Sequence, residues 1–187
     1  MNKKIILASQ SPRRRELVAL LDLPFQVVSP ETDEHFDASL SLEEQIKQVA
    51  KEKAKTVFKD HQDAIVISAD TIVVYENEIL QKPLHAEDAK LMLEKLSGKT
   101  HEVWTAVSML SSEEEDTFLT KSSVKFYDLD ETEIKNYVST SEPLDKAGGY
   151  NIHGYGALFV EAVDGDHFAI MGLPISKVYQ SLKNKMW

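Results

Sequence analysis

The sequence predicts a single α/β domain with a mixed, twisted β-sheet flanked by helices. Short apolar segments typical of buried strands, such as 3–9 and 64–68, alternate with segments whose apolar residues recur at helical spacing. Tight turns such as Glu76-Asn77 separate some strands and helices separate others, so both antiparallel and parallel pairs are expected. The 187 residues suffice for one hydrophobic core and show no internal repeat or linker, so residues 1–187 are expected to form one domain.

The individual elements are predicted from caps, turns and periodicity. Pro12 suits the first turn of a helix, Ser41 and Glu44 form a capping box, and Gly98 follows the end of a helix. The predicted helices are 12–22, 41–59, 86–96, 130–138 and 174–183. The predicted strands are 3–9, 25–29, 64–68, 71–75, 79–80, 103–110, 118–127, 157–163 and 167–170, the last two forming a hairpin.

Charge and composition exclude several classes of function. The formal net charge is −10, which argues against nucleic-acid and anionic-membrane partners because both are bound through summed positive charge. The absence of cysteine excludes disulfides, thiolate nucleophiles, zinc–thiolate sites and iron–sulfur clusters. No apolar segment approaches the length that spans a bilayer. These features favour a cytoplasmic protein without nucleic-acid or membrane partners.

The segment from Ser9 to Arg15 is the first candidate for a ligand site, because a strand there passes directly into a helix. Such a junction directs backbone N–H groups and the positive end of a helix dipole at one point. Ser9, Ser11, Arg13 and Arg14 add donors that suit phosphate oxygens. Basic residues at a helix N-terminus are unfavourable by themselves, so a bound anion would offset them. A solvated basic patch capped by Ser11 explains the segment equally well.

Asp70 is the second candidate, since it follows the apolar run 64–69 of a predicted central strand. Ligands of open α/β sheets bind beyond the carboxyl ends of the strands. A carboxylate there can hold a divalent cation or take a proton from water. A local turn hydrogen bond is an equally simple role for Asp70, and Thr71 is either a ligand contact or an ordinary β-branched strand residue.

Four further features are less informative. Lys53 lies in a lysine-rich helical segment whose lysines normally face solvent, so its pattern alone indicates a surface residue. Lys82 precedes a proline after a hairpin strand, and this pair by itself does not indicate a function. The acidic loop 31–37 is either solvated or a source of metal ligands. The glycine-rich segment 145–156 is either a close-approach ligand segment that includes His153 or a tight structural turn.

Taken together, these segments resemble the Maf family (septum-formation-inhibitor-like proteins). Several short motifs recur in family order along essentially the whole chain. The resemblance rests on the segments Leu7–Leu17, Ala50–Ala54, Ser68–Thr71, Gln81–Pro83, Leu96–His101, Glu142–Gly148 and Gly172–Pro174.

The resemblance implies a two-lobed α/β fold similar to the inosine-triphosphate pyrophosphatases, with the active-site cleft between the lobes. It implies cleavage of nucleoside triphosphates between the α- and β-phosphates, with magnesium, manganese or cobalt as the divalent cation. It also implies a homodimer as a common state of family members.

Individual roles follow from the resemblance by position. Asp70 matches the general base of the family. Glu34 matches the acid of the family's metal-linked loop, and Asp70 is the second candidate metal ligand. Ser9, Arg13, Arg14, Lys53 and Lys82 match the phosphate-binding groups of the family. For Lys53 this replaces the surface interpretation. Ser11, Thr71 and His153 are further candidates for substrate binding.

Ala69-Asp70-Thr71 together with Arg13 resembles the branch of the family that acts on dTTP and UTP, including modified pyrimidine nucleotides. That branch usually carries glutamine where this chain has His153, and the two side chains have different donor patterns. Two other functions stay open: a phosphohydrolase that releases single phosphates, and a nucleotide-binding regulator of septum formation and cell division without turnover.

Overall fold

The computed structural model describes residues 3–32, 37, 39–140, 142–185 and 187. The strands are β1 (Lys4–Ala8), β2 (Phe25–Val28), β3 (Ala64–Tyr75), β4 (Glu78–Leu80), β5 (Thr100–Leu110), β6 (Glu115–Phe126) and β7 (Val160–Asp164). The helices are α1 (Pro12–Ala19), α2 (Leu42–Phe58), α3 (Ala86–Leu96), α4 (Glu131–Val138), α5 (His167–Met171) and α6 (Ile175–Asn184). Short 3₁₀ turns cover Ala147–Gly149 and Tyr155–Phe159.

The strands form a mixed sheet, which confirms the predicted α/β class. Their order is β2-β1-β3-β5-β6-β7, and β4 pairs with β3. β1 lies parallel to both β2 and β3, whereas β3–β4 and β6–β7 are antiparallel pairs. Within the described ranges, no helix combines the length and apolar character that crossing a membrane requires.

Three predicted elements differ from the structure. The strand predicted at 157–163 begins only at Val160, because residues 157–159 lie in a 3₁₀ turn. β3 is one strand of twelve residues, because Asp70 does not interrupt the run that was divided into two strands. The predicted strand 167–170 is wrong, since this segment forms α5. Asp166 ends the turn after β7 and accepts a hydrogen bond from the Ala169 backbone N–H at 3.1 Å through its side chain. That side chain satisfies a donor at the start of a helix, which favours the helix over a returning strand.

The chain divides into two compact units. The first comprises residues 1–70, 105–120 and 172–187, and the second comprises 71–104 and 121–171. Strands β3, β5 and β6 contribute residues to both.

In the first unit, α2 packs on the parallel strands β1 and β3. Apolar side chains recur at helical spacing along α2 and are buried, and the Ser41–Glu44 capping box predicted at its N-terminus is confirmed. The cluster between helix and strands contains Ile6, Ala8, Ala54, Val57, Ala64 and Val66. The Ser68 hydroxyl donates to the Ala50 carbonyl at 2.6 Å and so fixes α2 against β3.

In the second unit, α3 and α4 enclose a core with many aromatic side chains. Phe126 lies at its centre, with edge-on contacts to Tyr150 and Phe159 at ring-centroid distances of 4.8 and 6.0 Å. The turn Ala147–Gly149 packs against this core, and Gly148 and Gly149 adopt φ values of +70° and +72°. Both glycines therefore sit in the left-handed region that other residues rarely adopt.

Alanine at Gly148 and at Gly149 should destabilise the protein by different amounts. Both substitutions force a left-handed alanine, at about 1–2 kcal/mol. A Cβ at Gly148 would lie 2.9–3.1 Å from Val73 side-chain atoms, whereas at Gly149 its nearest atoms lie at 3.5–3.7 Å. Urea unfolding should therefore show a further loss of about 1–3 kcal/mol for Gly148→Ala, from overpacking. Equal losses in the two variants would mean that Val73 moves aside freely.

Candidate active site

The site begins where β1 passes into α1. β1 pairs with β3 as far as Ala8 opposite Ser68, and the chain then turns through Ser9 into the helix. The buried Ser9 hydroxyl accepts a hydrogen bond from the Ser11 backbone N–H at 3.2 Å. Ser11 is the N-cap residue, but its own side chain makes no capping hydrogen bond, so the predicted Ser11 cap is wrong. The first turn of α1 contains no acidic residue, which leaves the positive end of the helix dipole to an external anion.

Arg14 links this junction to β3. Its Nε donates to the Gly172 carbonyl and its Nη1 to the Ala69 carbonyl, both at 2.8 Å, and Nη1 also lies 3.4 Å from Ser9 Oγ. These bonds hold a half-buried guanidinium beside the residue that precedes Asp70. Arg13 is half-buried and Arg15 exposed, so the three arginines are not one solvated patch.

Lys53 and Asp70 form a buried ion pair. Lys53 Nζ lies 2.6 Å from Asp70 Oδ1, and the two side chains are only 9% and 8% exposed. Lys53 lies three residues after Ala50 and seven after Ile46, both fully buried, so it belongs to the apolar face of α2. The surface interpretation of Lys53 is therefore wrong. Charges are rarely buried unless they are paired, and each of these requires the other.

Asp70 lies within β3 and not at its end, because the strand continues to Tyr75. The parallel partner β1, however, ends opposite Ser68, two residues before Asp70. The carboxylate therefore lies just past the carboxyl end of β1, the position where ligands bind in sheets of this kind. In the first unit the fold thus gathers Ser9, Arg14, Lys53 and Asp70, residues from three separate segments.

Three predicted site residues belong to the second unit: Thr71, Lys82 and His153. They lie on β3, on the segment after β4 and on the glycine-rich segment. Thr71 is half-buried in β3 directly after Asp70. Lys82 is exposed and pairs with Asp145, Nζ to Oδ1 at 3.0 Å. Asp145 holds a left-handed backbone, φ +68°, and no pattern in the sequence assigned it a partner. His153 is exposed, and its ring lies 5.1 Å from that of His167.

The donor set suits a divalent cation that is shared with a substrate. Among the described residues, no three His, Cys, Asp or Glu side chains gather into a metal cage. Magnesium needs only one or two carboxylates when substrate phosphates and water complete its shell. Asp70 meets that need beside the Lys53 ammonium, and the other predicted ligand, Glu34, lies outside the described residues.

Comparison with known proteins identifies the family. Residues 4–185 match the family described as Maf-like protein. The chain belongs to this family. The dTTP/UTP pyrophosphatase of Bacillus cytotoxicus is 48% identical over 97% of this chain and 95% of its own length. That of a Bacillus cereus strain shows the same identity and coverage. The solved nucleoside-triphosphatase / dITP/XTP pyrophosphatase of Mycobacterium abscessus is 19% identical, with a TM-score of 0.44 over 66% of this chain and 74% of that chain.

This Maf-like chain contains a buried histidine, His101, that sequence reasoning assigned no role beyond membership of the motif Leu96–His101. His101 Nε2 lies 2.8 Å from the Tyr150 hydroxyl, and Nδ1 is buried without a hydrogen-bond partner. Burial lowers the pKa of His101 from 6.5 to about 4, so the ring is neutral at physiological pH. Burial also raises the pKa of Tyr150. The pair holds Tyr150 in the middle of the glycine-rich segment, and the contact joins residues too distant in sequence for any local pattern to predict.

Replacing Lys53 by methionine should lower the free energy of unfolding by about 3–5 kcal/mol, because it leaves the Asp70 carboxylate buried without its ammonium partner. Lys55→Met is the matched control, since Lys55 lies on the exposed face of the same helix and should change stability by less than about 0.5 kcal/mol. Chemical denaturation measures both. Similar small losses would show that the ion pair contributes nothing net to stability.

His101 should make the folded state sensitive to mild acid. The pKa of His101 is 6.5 in the unfolded state and about 4 in the folded state. Between these two values the unfolded state binds a proton that the folded state does not, so the free energy of unfolding falls as the pH falls from 6.5 to about 4. The loss due to His101 amounts to about 3 kcal/mol and levels off below pH 4. Denaturation at a series of pH values should give a curve for His101→Gln that is flatter than the wild-type curve by this amount. Parallel curves would contradict the prediction.

Proposed function

We propose that this Maf-like protein hydrolyses dTTP and UTP to the nucleoside monophosphate and pyrophosphate. The observation that carries the proposal is the buried Lys53–Asp70 pair, placed beside Arg14 and the Ser9 junction at the carboxyl end of β1. Full-length relatives with 45–48% identity, all named dTTP/UTP pyrophosphatases, support the reaction and the pyrimidine preference.

The triphosphate binds at the β1–α1 junction. The N-terminal end of α1 and the hydroxyls of Ser9 and Ser11 supply donors, and Arg13 and Arg14 supply positive charge. Arg14 is already oriented by two carbonyls, so little conformational entropy is lost when it meets a phosphate. The family motif assigns Lys82 to substrate binding as well, and its ammonium is exposed in its pair with Asp145.

A divalent cation completes the charge balance. Asp70 and Glu34 would hold it, and magnesium, manganese and cobalt all suit carboxylate and phosphate oxygens. When bound, the cation neutralises the triphosphate and polarises its phosphorus–oxygen bonds.

Asp70 acts on the attacking water. Its carboxylate orients the water and accepts its proton as the water oxygen bonds to the α-phosphorus; the bond from that phosphorus to the α–β bridging oxygen breaks and pyrophosphate leaves. Lys53 holds Asp70 in place and stabilises negative charge in a nearly dry environment, where such interactions are strongest. The remaining work is positioning, which suits a site made of fixed cations and one carboxylate.

His153 and Thr71 contact the nucleoside. The pairing edge of uracil and thymine presents one N–H donor between two carbonyl acceptors. An amide carries its donor and acceptor side by side and can pair with two adjacent groups of that edge, whereas an imidazole carries its two nitrogens on opposite sides of the ring, so His153 makes one hydrogen bond to the edge. Because free nucleoside triphosphates are a cytoplasmic pool, we place the activity there, in the homodimer common to the family.

The reaction is tested with a panel of ordinary and modified nucleoside triphosphates, each with magnesium, manganese or cobalt, and separate assays of pyrophosphate and phosphate. We expect pyrophosphate, released fastest from dTTP or UTP. Pyrophosphate from another nucleotide would retain the mechanism and remove the pyrimidine assignment. Phosphate alone would indicate a phosphohydrolase, and tight binding without turnover would indicate the nucleotide-binding regulator.

Asp70→Asn should lower kcat for UTP by at least about 100-fold, since an amide cannot accept the proton of water. Binding of a non-hydrolysable α,β-methylene UTP, measured without divalent cation because Asp70 is a proposed metal ligand, should stay within about threefold of wild type, since Ser9, Arg13 and Arg14 are unchanged. Asp60→Asn, an exposed change of the same type in the same unit, serves as the control and should leave kcat unaltered. Retained turnover in folded Asp70→Asn protein would remove Asp70 from the role of base.

A further inference from the structure

The segment from Asn151 to Gly156 carries His153 on a tightly turned backbone. The Gly154 N–H donates to the Asn151 carbonyl at 3.1 Å, and the His153 N–H donates to the Asn151 side-chain oxygen at 3.3 Å. The direction in which the exposed His153 projects therefore depends on how the two ends of this turn are held.

The C-terminal end of the segment is bound directly by the Glu142 carboxylate, and its N-terminal end is bound through Tyr137, which donates to the same carboxylate. Glu142 Oε2 accepts the Tyr155 N–H at 3.1 Å, and Oε1 accepts the Gly156 N–H at 3.2 Å and the Tyr137 hydroxyl at 3.0 Å. The Tyr137 oxygen in turn accepts the Asn151 N–H at 3.0 Å. Three donors on two oxygens are a set that a carboxylate can satisfy and an amide cannot, because an amide presents N–H donors on one side.

The second partner in this network is rigid. Tyr137 is buried in the core of the second unit and packs edge-on against Phe159 at 4.9 Å between ring centroids. Burial raises the pKa of Tyr137, so its phenol keeps the proton that it donates to Glu142. The Glu142 carboxylate is therefore held from the core side as well as from the segment.

The glycines of the segment fit around the same carboxylate. A Cβ at Gly154 would lie 2.3–2.5 Å from the Glu142 carboxyl atoms, closer than any real side chain approaches. A Cβ at Gly156 would lie 2.8 Å from the Asn151 carbonyl oxygen and 3.1 Å from the Tyr137 hydroxyl. Both glycines thus permit a backbone approach that the Glu142 network requires.

We propose that Glu142 is a positioning residue for base recognition: its carboxylate holds the Asn151–Gly156 segment in the conformation that presents His153 to the pyrimidine. This inference rests on the proposed function, since it gives His153 the base-reading role stated there. Glu142 itself contacts neither substrate nor metal. Its removal should therefore weaken contacts with the nucleoside and spare those with the phosphates.

The test is calorimetric binding of UMP and of inorganic pyrophosphate to wild type and to Glu142→Gln. Binding of UMP depends on the nucleoside contacts, whereas binding of pyrophosphate depends on the phosphate-binding residues of the first unit. We expect the Kd of UMP to rise about tenfold, the effect of leaving one charge-assisted hydrogen bond unmade. The Kd of pyrophosphate should stay within about twofold of wild type, since no group that binds it has changed.

Glu131→Gln is the matched control, because it removes the same charge from an exposed position at the start of α4 and should leave both Kd values unchanged. In the steady state, KM for UTP should rise in Glu142→Gln while kcat falls less than twofold, and the preference for UTP over CTP should narrow. Unaltered UMP binding in Glu142→Gln, or equal losses for UMP and pyrophosphate, would overturn the inference, and turnover by the wild-type protein would still uphold the proposed function. Selective loss of UMP binding in Glu142→Gln, together with no turnover by the wild-type protein, would uphold the positioning role and overturn the proposed function.

Discussion

The parallel pairing of β1 with β3 is the constraint on which the phosphate side of this molecule depends. The register that places Ala8 opposite Ser68 ends β1 two residues before Asp70. Ser9 therefore leaves the sheet next to the carboxylate, and α1 begins with its arginines at the same edge. A slip of one residue would turn Asp70 to the opposite face of β3 and separate it from Lys53. The apolar contacts of β1 and β3 with α2 hold this register.

The buried Lys53–Asp70 ion pair places two charges where each is destabilising without the other. A lysine on the apolar face of α2 is unfavourable until the Asp70 carboxylate meets it, and removal of either partner leaves an uncompensated buried charge. A well-packed apolar pair in the same place would serve stability as well. The pair is understandable as a device that holds a carboxylate and an ammonium in fixed geometry away from bulk water, which is what charge development in phosphoryl transfer requires.

The second unit solves a different problem, that of giving shape to a segment without regular secondary structure. Side chains from elsewhere in the unit bind this segment: Tyr137 and Glu142 accept backbone N–H groups of Asn151 and Gly156, and His101 bonds to the Tyr150 hydroxyl. Burial keeps the histidine neutral and the phenols protonated, so each can fill its place in the network. Such a segment is ordered by polar contacts with a rigid core, and glycine occurs where backbone and carboxylate come closest.

Local signals in the sequence determined most of the elements. Capping boxes, apolar periodicity and turn residues placed the five longest helices and the strands of the sheet within a few residues, because these features act over one or two turns of chain. The local signals failed at residues 167–170, where the pattern predicts a strand but Asp166 caps a helix. Motif order also identified the family and the candidate residues, although their roles remain predictions.

Tertiary structure alone decided which of those residues meet. Arg14 bonds to the Gly172 carbonyl across 158 positions of sequence, and the neighbours of Lys53 suggested solvent until α2 was seen to bury that face. Glu142 and His101 lie in segments that carry the family resemblance, but no local pattern assigned either a role, because their partners lie in other segments. The physical reason is the same in each case: a pattern along the chain reports on neighbours within a few residues, whereas burial and charge pairing depend on groups that only the folded chain brings together.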